Sequence, residues 1–237
     1  MINLIPVAEN LWNATQPFSY LGLEVGIRMV IVRLNSGELL LISPIQLQAS
    51  DCATLDALGL VSHLIAPNLF HHLFFGPAQS LYPEAKAWGV EGLAEKRPDL
   101  KLDGLLNQAG NFGPDMEYLP LEGFGALLPR GICFAHETVF WHRPSRSLIL
   151  TDSSFHFDET FPWGTQLAAR LMGSYKVLKP SYFEKLGSRD KAQVKASVRQ
   201  VLAWDFDRVI MAHGSIVETD GKAQFTAGFE WLLGETL

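Results

Sequence analysis

Short apolar runs recur along the chain, and two of them end directly before a residue that can ligate a metal ion. Residues 147–151 are followed by Asp152, and residues 208–212 are followed by His213. Runs of this length and composition are typical of buried strands. In open α/β sheets, functional groups gather in the crevice beyond the carboxyl ends of the strands. The pattern therefore predicts that a carboxylate and an imidazole meet at one edge of a sheet.

A third apolar run, residues 61–66, leads into a loop that carries the adjacent pair His71 and His72. An imidazole that is buried among apolar neighbours needs a hydrogen-bond or metal partner. Adjacent side chains diverge by about 100° in a helix and point to opposite faces in a strand, so both rings reach one ion only from an irregular loop or a helix start. One ligand from this pair is the safer expectation, and a hydrogen bond to the backbone is the alternative for the other ring.

The segments between these runs predict alternating strands and helices. A β-hairpin is expected over residues 27–42, because Asn-Ser-Gly at residues 35–37 supplies the positive φ values of a tight turn. Ser50 or Asp51 is expected to cap the helix that follows the hairpin.

Further along, the same alternation predicts a strand at residues 85–90 and a brief helix at residues 92–96. A second hairpin is expected over residues 138–151, followed later by a helix from Ser188 and the strand at residues 208–212. The second half of the chain thus repeats the order of the first half, and the fold class is α/β.

Length and composition fit one folded unit. With 237 residues, 48% hydrophobic and 19% charged, the chain can bury a large core, so we expect a single domain over residues 1–237 with pseudo-repeated halves at about 1–120 and 121–237. Cys52 and Cys133 lie far apart without CxxC spacing, which fits reduced thiols. The first residues lack a secretory pattern, so a cytoplasmic location is expected.

Charge and motifs narrow the classes of partner. A net charge of −6 disfavours nucleic acid, and no apolar stretch approaches the roughly 20 residues of a membrane span, so neither nucleic acid nor membrane is expected as a partner. GxSxG, Walker and GxGxxG motifs are absent from the sequence. A small-molecule substrate is the expected partner.

Residues 153–186 are rich in aromatic side chains and fit no simple strand pattern. Three interpretations stay open: a cover over a site, an interface for homo-oligomerisation, or additional helices that complete the core.

Each candidate ligand also has a plain structural interpretation. Asp152 taken alone is equally typical of a helix cap or turn, and His213 taken alone is more typical of a hydrogen-bonded histidine at a strand end. His136 precedes a predicted strand, where it either enters the same crevice or faces solvent. The coincidence of Asp152 and His213 at matching strand ends favours a shared metal site.

The order of these features resembles the metallo-β-lactamase superfamily. The resemblance rests on the early hairpin, the histidine-bearing loop after a third strand, Leu-Thr-Asp at residues 150–152 and Ala-His-Gly at residues 212–214. The segments 65–73 and 142–145 look like a divergent branch of unassigned function. The resemblance implies a four-layer αβ/βα sandwich with two mixed sheets and a metal site at one edge.

The HxHxDH motif of that superfamily is degenerate in this chain. Comparison of the loops puts Pro67 and Leu69 where the first two histidines belong, His71 where the aspartate belongs, and His72 on the last histidine. The first metal position of the family therefore keeps at most His136.

The second metal position is better preserved, because His72, Asp152 and His213 match its histidine, bridging aspartate and final histidine. His71 adds a third imidazole to this set. The resemblance thus implies a mononuclear site for one divalent transition metal, which would be zinc, iron or manganese.

The resemblance implies hydrolysis of a small ester, thioester, lactone or amide. The family's water-orienting aspartate is missing, so the candidates for a catalytic base are His71, His136 and Glu137. A catalytically inactive protein of this fold that binds a ligand or partner is the first alternative, and a mononuclear iron redox enzyme is the second.

Overall fold

The chain folds around two mixed β-sheets, in a computed structural model that describes residues 1–128 and 131–237. The elements of the first half are, in chain order, β1 (Ile5–Ala8), β2 (Leu11–Gln16), β3 (Ser19–Tyr20), β4 (Leu23–Glu24), β5 (Ile27–Arg33), β6 (Glu38–Ile42), α1 (Ala49–Asp56), β7 (Leu60–Ile65), α2 (Phe75–Leu81), β8 (Lys86–Gly89), α3 (Leu93–Lys96) and β9 (Gly104–Leu105). The elements of the second half are β10 (Gly110–Asn111), β11 (Met116–Pro120), β12 (Gly125–Leu128), β13 (Gly131–Phe134), β14 (Thr138–His142), β15 (Ser147–Ile149), α4 (Trp163–Met172), α5 (Tyr182–Gly187), α6 (Lys191–Leu202), β16 (Arg208–Ile210) and α7 (Gly221–Leu233).

The first sheet has the strand order β1-β2-β5-β6-β7-β8-β9, and the second has the order β10-β11-β14-β15-β16. Strands β6 to β9 are parallel, as are β15 and β16, while the other neighbours in the two sheets are antiparallel. Helices α1 and α2 contact β7, whereas α6 contacts β11 and α7 contacts β16. The predicted αβ/βα sandwich with two mixed sheets is confirmed.

The apolar run before Asp152 is explained by burial on both faces of β15. Ile149 belongs to a core cluster shared with first-sheet residues such as Leu41, while Leu148 packs in the cluster that includes Val198 of α6 and Phe225 of α7. Successive residues of a strand point to opposite faces, so a strand that is covered on both sides must be apolar almost throughout. This is why such runs were visible in the sequence.

The first predicted hairpin forms as expected, because β5 and β6 pair antiparallel around the turn at residues 35–37. The cap of the next helix differs from the prediction. The N-cap of α1 is Gln48, and Asp51 lies three residues into the helix, where its carboxylate accepts a hydrogen bond from the backbone N–H of Gln48. The two residues form the reciprocal arrangement of a capping box, which satisfies helix-terminal donors from both sides.

The later helices also differ in detail from the sequence-based boundaries. The helix expected from Ser188 begins at Lys191 and is capped by Asp190, whose side chain accepts from the backbone N–H of Gln193. The final helix α7 lies outside the predicted elements. It contains Gly221 and Gly228, which weaken a helical pattern in sequence but here allow close approach to the backbone oxygens of neighbouring segments.

The aromatic segment 153–186 contains helices α4 and α5 and a short extended stretch that pairs with residues 175 and 179. Part of the segment is core, since Phe157, Ala169 and Leu178 are buried. Within residues 1–128 and 131–237, none of the helices is both long enough and apolar enough to cross a membrane.

Candidate metal centre

Three potential ligands converge where the two sheets end. His71 lies in the loop after β7, Asp152 follows β15, and His213 follows β16. One ligand atom from each of the three lies within 4.8 Å of the others. His71 Nε2 is 3.3 Å from Asp152 Oδ2, and His213 Nε2 is 3.6 Å from Asp152 Oδ1. Ligands at bond lengths of 2.0–2.2 Å around a tetrahedral ion are about 3.3–3.6 Å apart, so this spacing suits one ion.

The tautomer of His213 leaves one ring nitrogen free to act as a metal ligand. Its Nδ1 contacts the carbonyl oxygen of Gly26, which can only accept, so Nδ1 carries the proton. Burial, followed by the neighbouring charge of His71, lowers the pKa of His213 to about 4, and the ring is neutral at neutral pH. The unprotonated Nε2 therefore faces the Asp152 carboxylate, and two acceptors meet without a hydrogen between them. A cation between them satisfies both.

His71 is the second imidazole of the group. Its Nδ1 lies 2.7 Å from Ser43 Oγ, which leaves Nε2 directed at Asp152. Burial alone would lower the pKa of His71, but the charge and hydrogen bond of Asp152 outweigh it and the net shift is upward. Without metal, a proton on Nε2 can occupy the position between the two side chains.

Asp152 is held as a carboxylate. Burial would raise its pKa, but His71, His213 and a hydrogen bond from Asn68 bring the pKa down to about 2. The site therefore offers one anionic ligand beside the two imidazoles at any ordinary pH.

Asn68 organises the loop around these ligands, although it was not among the candidate residues. Its side-chain oxygen accepts hydrogen bonds of 2.8 Å from the backbone N–H groups of Phe70 and His71. Its amide nitrogen donates to Asp152 Oδ2 at 2.8 Å and to Thr151 Oγ1 at 2.9 Å. Asn68 thus fixes the backbone of the loop that carries His71 and links it by hydrogen bonds to the loop that carries Asp152. A lone amide within an apolar segment was the available signal, because a buried amide needs partners.

Glu137 lies behind the Asp152 loop. It is fully buried and accepts hydrogen bonds from the backbone N–H groups of Thr151, Asp152 and Ser153 at 3.0, 2.7 and 3.2 Å, and from Ser153 Oγ at 2.7 Å. Burial and the charge of Asp152 raise the pKa of Glu137, while these hydrogen bonds act in the opposite direction. Through these contacts Glu137 holds the backbone of the loop that carries Asp152, and its role as a catalytic base stays a prediction.

His72 is not part of the group, which differs from its expected role as a principal ligand. Its Nδ1 lies 3.0 Å from Arg97 Nη1. Burial and the nearby charges of Lys96 and Arg97 lower the pKa of His72. Neighbouring side chains of this loop diverge, so only one of the pair faces the site, and the structure turns His71 rather than His72 toward Asp152.

His136 lies on a different surface. It is exposed, has a positive φ of 48°, and contacts the Phe134 ring at a centroid distance of 6.4 Å. It lines an open cleft of about 460 Å³ whose wall also includes Glu91 and Arg189 but none of the three clustered ligands. The structure therefore does not bring His136 to the metal centre.

Residues 26–28 fix both the ring and the backbone of His213. The Gly26 carbonyl holds the ring, and the half-buried Arg28 guanidinium donates to the carbonyl oxygens of Met211 and, at 2.9 Å, Gly214. Burial lowers the pKa of Arg28 to about 10, which leaves it charged. Gly214 has a φ of 91° and abuts the backbone of a neighbouring segment, so the turn after the ligand requires glycine.

Metal affinity is expected to rise with pH and to level off above the raised pKa of His71. Metal binding needs an unprotonated Nε2, and in the metal-free protein Asp152 holds a proton on His71 above its ordinary pKa of about 6.5. His213 adds no proton in this range, because its pKa is about 4. Titration calorimetry in buffers of different ionisation enthalpy should detect release of about one proton near pH 6. Proton release that persists unchanged in His71→Ala would contradict this assignment.

Comparisons with known proteins agree with this fold. A sequence family described as "Domain of unknown function (DUF4336)" matches residues 8–94. No curated protein sequence matches the chain. Among solved structures, a metallo-β-lactamase from Pontibacter korlensis is similar over 99% of both chains, with a TM-score of 0.63 and 10% identity.

Two further solved structures share the fold of this chain at low sequence identity. The flavodiiron core Flv1 from Synechocystis sp., described as metal-soaked, matches 98% of this chain with a TM-score of 0.65 and 15% identity, and the match spans 61% of that protein's chain. The metallo-β-lactamase FIM-1 from Pseudomonas aeruginosa in its mono-zinc form matches 98% of this chain and 93% of its own, with a TM-score of 0.60 and 9% identity. The chain therefore has the metallo-β-lactamase-like fold, with a candidate His/Asp/His metal site.

Proposed function

We propose that the chain is a metal-dependent hydrolase that uses a single divalent transition-metal ion held by His71, Asp152 and His213. The observation that carries the proposal is the facing pair of acceptors, His213 Nε2 and Asp152 Oδ1, with the His71 ring beside them. The proposed substrates are small esters, thioesters, lactones or amides.

The residues of the chain supply ligands and a fixed geometry. Asp152 contributes the negative charge, and both imidazoles are held through their Nδ1 atoms by partners outside the site. Such partners orient a ligating histidine and set its tautomer. Three protein ligands leave a fourth position of a tetrahedral ion open to water or substrate, as in catalytic rather than structural zinc sites. A bound divalent ion supplies Lewis acidity, which polarises a substrate carbonyl and lowers the pKa of a coordinated water.

The experiment is hydrolysis by protein reconstituted with zinc, iron or manganese, measured on matched ester, thioester, lactone and amide substrates. Asp152→Asn is the inactive control, since it removes the anionic ligand, and His72→Ala is the matched control for a histidine outside the site. We expect turnover with one metal that Asp152→Asn abolishes and His72→Ala retains. Metal-loaded protein that hydrolyses none of the four substrate classes would contradict the proposal and favour the inactive, ligand-binding alternative.

A mononuclear iron redox enzyme is a second candidate, because two histidines and one carboxylate are the ligand set of many non-haem iron(II) enzymes. The similarity to a flavodiiron core is compatible with it. Oxygen consumption by protein loaded with ferrous iron, absent in Asp152→Asn, would favour this function. Hydrolysis with zinc and no oxygen consumption with iron would exclude it.

A further inference from the structure

Helix α4 exposes an apolar stripe that residues 1–128 and 131–237 leave uncovered. Trp163, Leu167 and Leu171 are 75%, 41% and 65% exposed, and their spacing places them on one face of the helix. The opposite face buries Thr165 and Ala169. Single exposed apolar residues are ordinary, but a contiguous stripe marks an interaction surface.

The apolar surface continues onto helix α5. Tyr182, Phe183 and Leu186 are each about half exposed or more. The C-terminal end of α4 lies near the start of α5, because a Cβ built on the C-cap residue Gly173 would lie 3.8 Å from the Tyr182 ring. We call the six residues on these two helices the α4–α5 surface.

The charge around this surface is opposite to that of the whole chain. Residues 163–187 contain four basic side chains, and their one acidic residue, Glu184, is buried. The chain as a whole has a net charge of −6. The basic side chains are Arg170, Lys176, Lys179 and Lys185. From outside the cluster, Glu159 pairs with Lys176 at 2.7 Å, Asp158 also acts on Lys176, and Glu24 lies on β4, which contacts α4.

The basic side chains lie against aromatic rings and stay at the surface. The Arg170 guanidinium is 3.6 Å from the centre of the Tyr175 ring, and the Lys179 and Lys185 ammonium groups are 3.9 and 4.1 Å from that of Trp231. These contacts hold the cations beside the apolar stripe. They also cover the Tyr175 and Trp231 ring faces on which bases of a nucleic acid would stack.

A second copy of the chain fits this surface poorly. A two-fold interface places the same patch on both sides, so it would bring two net positive clusters together, with a counter-charge beside Lys176 alone. An anionic partner avoids that repulsion. Exposed leucines beside tryptophan, tyrosine and basic side chains match the chemistry of segments that lie in the plane of a membrane interface.

We propose that the α4–α5 surface docks on an anionic lipid surface, with the apolar stripe in the headgroup region and the basic residues on the lipid charges. This peripheral contact needs no spanning helix. The sequence did not predict it, because hydrophobic residues in 153–186 are indistinguishable from core until their burial is known. The proposal is independent of the proposed hydrolase activity.

The test is sedimentation of the full chain with vesicles of phosphatidylcholine alone or of equal parts phosphatidylcholine and phosphatidylglycerol. We expect binding to the anionic vesicles that weakens with salt. Combined Trp163→Gln, Leu167→Gln and Leu171→Gln should lower the partition coefficient by at least about 100-fold. Lys176→Gln should lower it up to about five-fold, near 1 kcal/mol per basic residue.

Matched controls separate docking from a general loss of surface apolarity or of fold. Leu60→Gln and Leu105→Gln change leucines that are 70% and 50% exposed on other elements, and we expect unchanged vesicle binding. All variants should retain the thermal transition and the metal content of the parent chain. Brominated lipid should quench fluorescence from Trp163, and Trp163→Phe should lose that quenching.

Three outcomes would overturn the proposal. One is equal binding to neutral and anionic vesicles, or binding to neither. Another is vesicle binding that the triple glutamine variant retains. The last is a dimer in sedimentation velocity that the triple variant converts to monomer, because the surface would then be covered by a second copy.

Discussion

Asp152→Asn is expected to lower the affinity for zinc by more than about 100-fold. Removing a residue that only hydrogen-bonds to a ligand usually lowers metal affinity by about 10–100-fold, and Asp152 is a proposed ligand itself. Asp152 is the residue that both imidazoles approach, at 3.3 and 3.6 Å. Asparagine keeps an oxygen that can accept from Asn68 but removes the only negative charge among the three ligands. The fold should therefore persist while the ion is lost. Competition with a chromophoric chelator measures the dissociation constant, and urea unfolding checks the fold.

His72→Ala is the matched control for this prediction. His72 is adjacent to His71 and equally buried, but it contacts Arg97 instead of Asp152. We expect the zinc affinity of His72→Ala to stay within a few-fold of the parent chain, and His71→Ala to lose zinc. The reverse result, with zinc lost in His72→Ala and kept in His71→Ala, would restore the ligand set implied by the superfamily motif.

Glu137→Ala is expected to lower the free energy of unfolding by about 3–5 kcal/mol. The change leaves three backbone N–H groups, two of them fully buried, and the Ser153 hydroxyl without their acceptor, and each unsatisfied buried group costs about 1–3 kcal/mol. Relief of the repulsion between Glu137 and Asp152 offsets part of this cost. Because the carboxylate shapes the loop of Asp152, metal affinity should fall by about 10–100-fold as well. Denaturant unfolding and metal competition measure the two effects.

Glu137→Gln and Glu122→Ala are the controls for this prediction. Glutamine keeps one acceptor oxygen, so we expect a smaller loss of stability than with alanine, whereas Glu122 is exposed and its removal should change stability by less than about 0.5 kcal/mol. If Glu137→Gln abolished turnover with unchanged stability and metal affinity, Glu137 would be a catalytic base, as its position in the sequence suggested.

The fold and the ligands at the strand ends could be predicted from the sequence, because buried strands appear as short apolar runs. Strand β15 is covered on both faces, which makes residues 147–151 apolar and places Asp152 at a visible boundary. The same argument identified His213 after β16. These predictions depend on short-range periodicity, which sequence carries directly.

The choice between His71 and His72 was not accessible in this way. It depends on the loop dihedrals that Asn68 sets through two backbone hydrogen bonds, and a shift of one residue exchanges the side chain that faces Asp152. The contacts of Asn68 with Asp152 and Glu137 join residues 84 and 69 positions apart, so no local pattern records them. Motif alignment therefore favoured His72 as the principal ligand, whereas in the structure His71 lies beside Asp152 and His213.

Metal content combined with anomalous scattering tests the central claim most directly. Protein supplemented with zinc, iron or manganese and then dialysed should retain close to one equivalent of one of these metals per chain. The anomalous peak should lie between His71 Nε2, Asp152 and His213 Nε2. Retention far below one equivalent with all three metals, or a peak bounded by His72 or His136 instead of His71, would contradict the account.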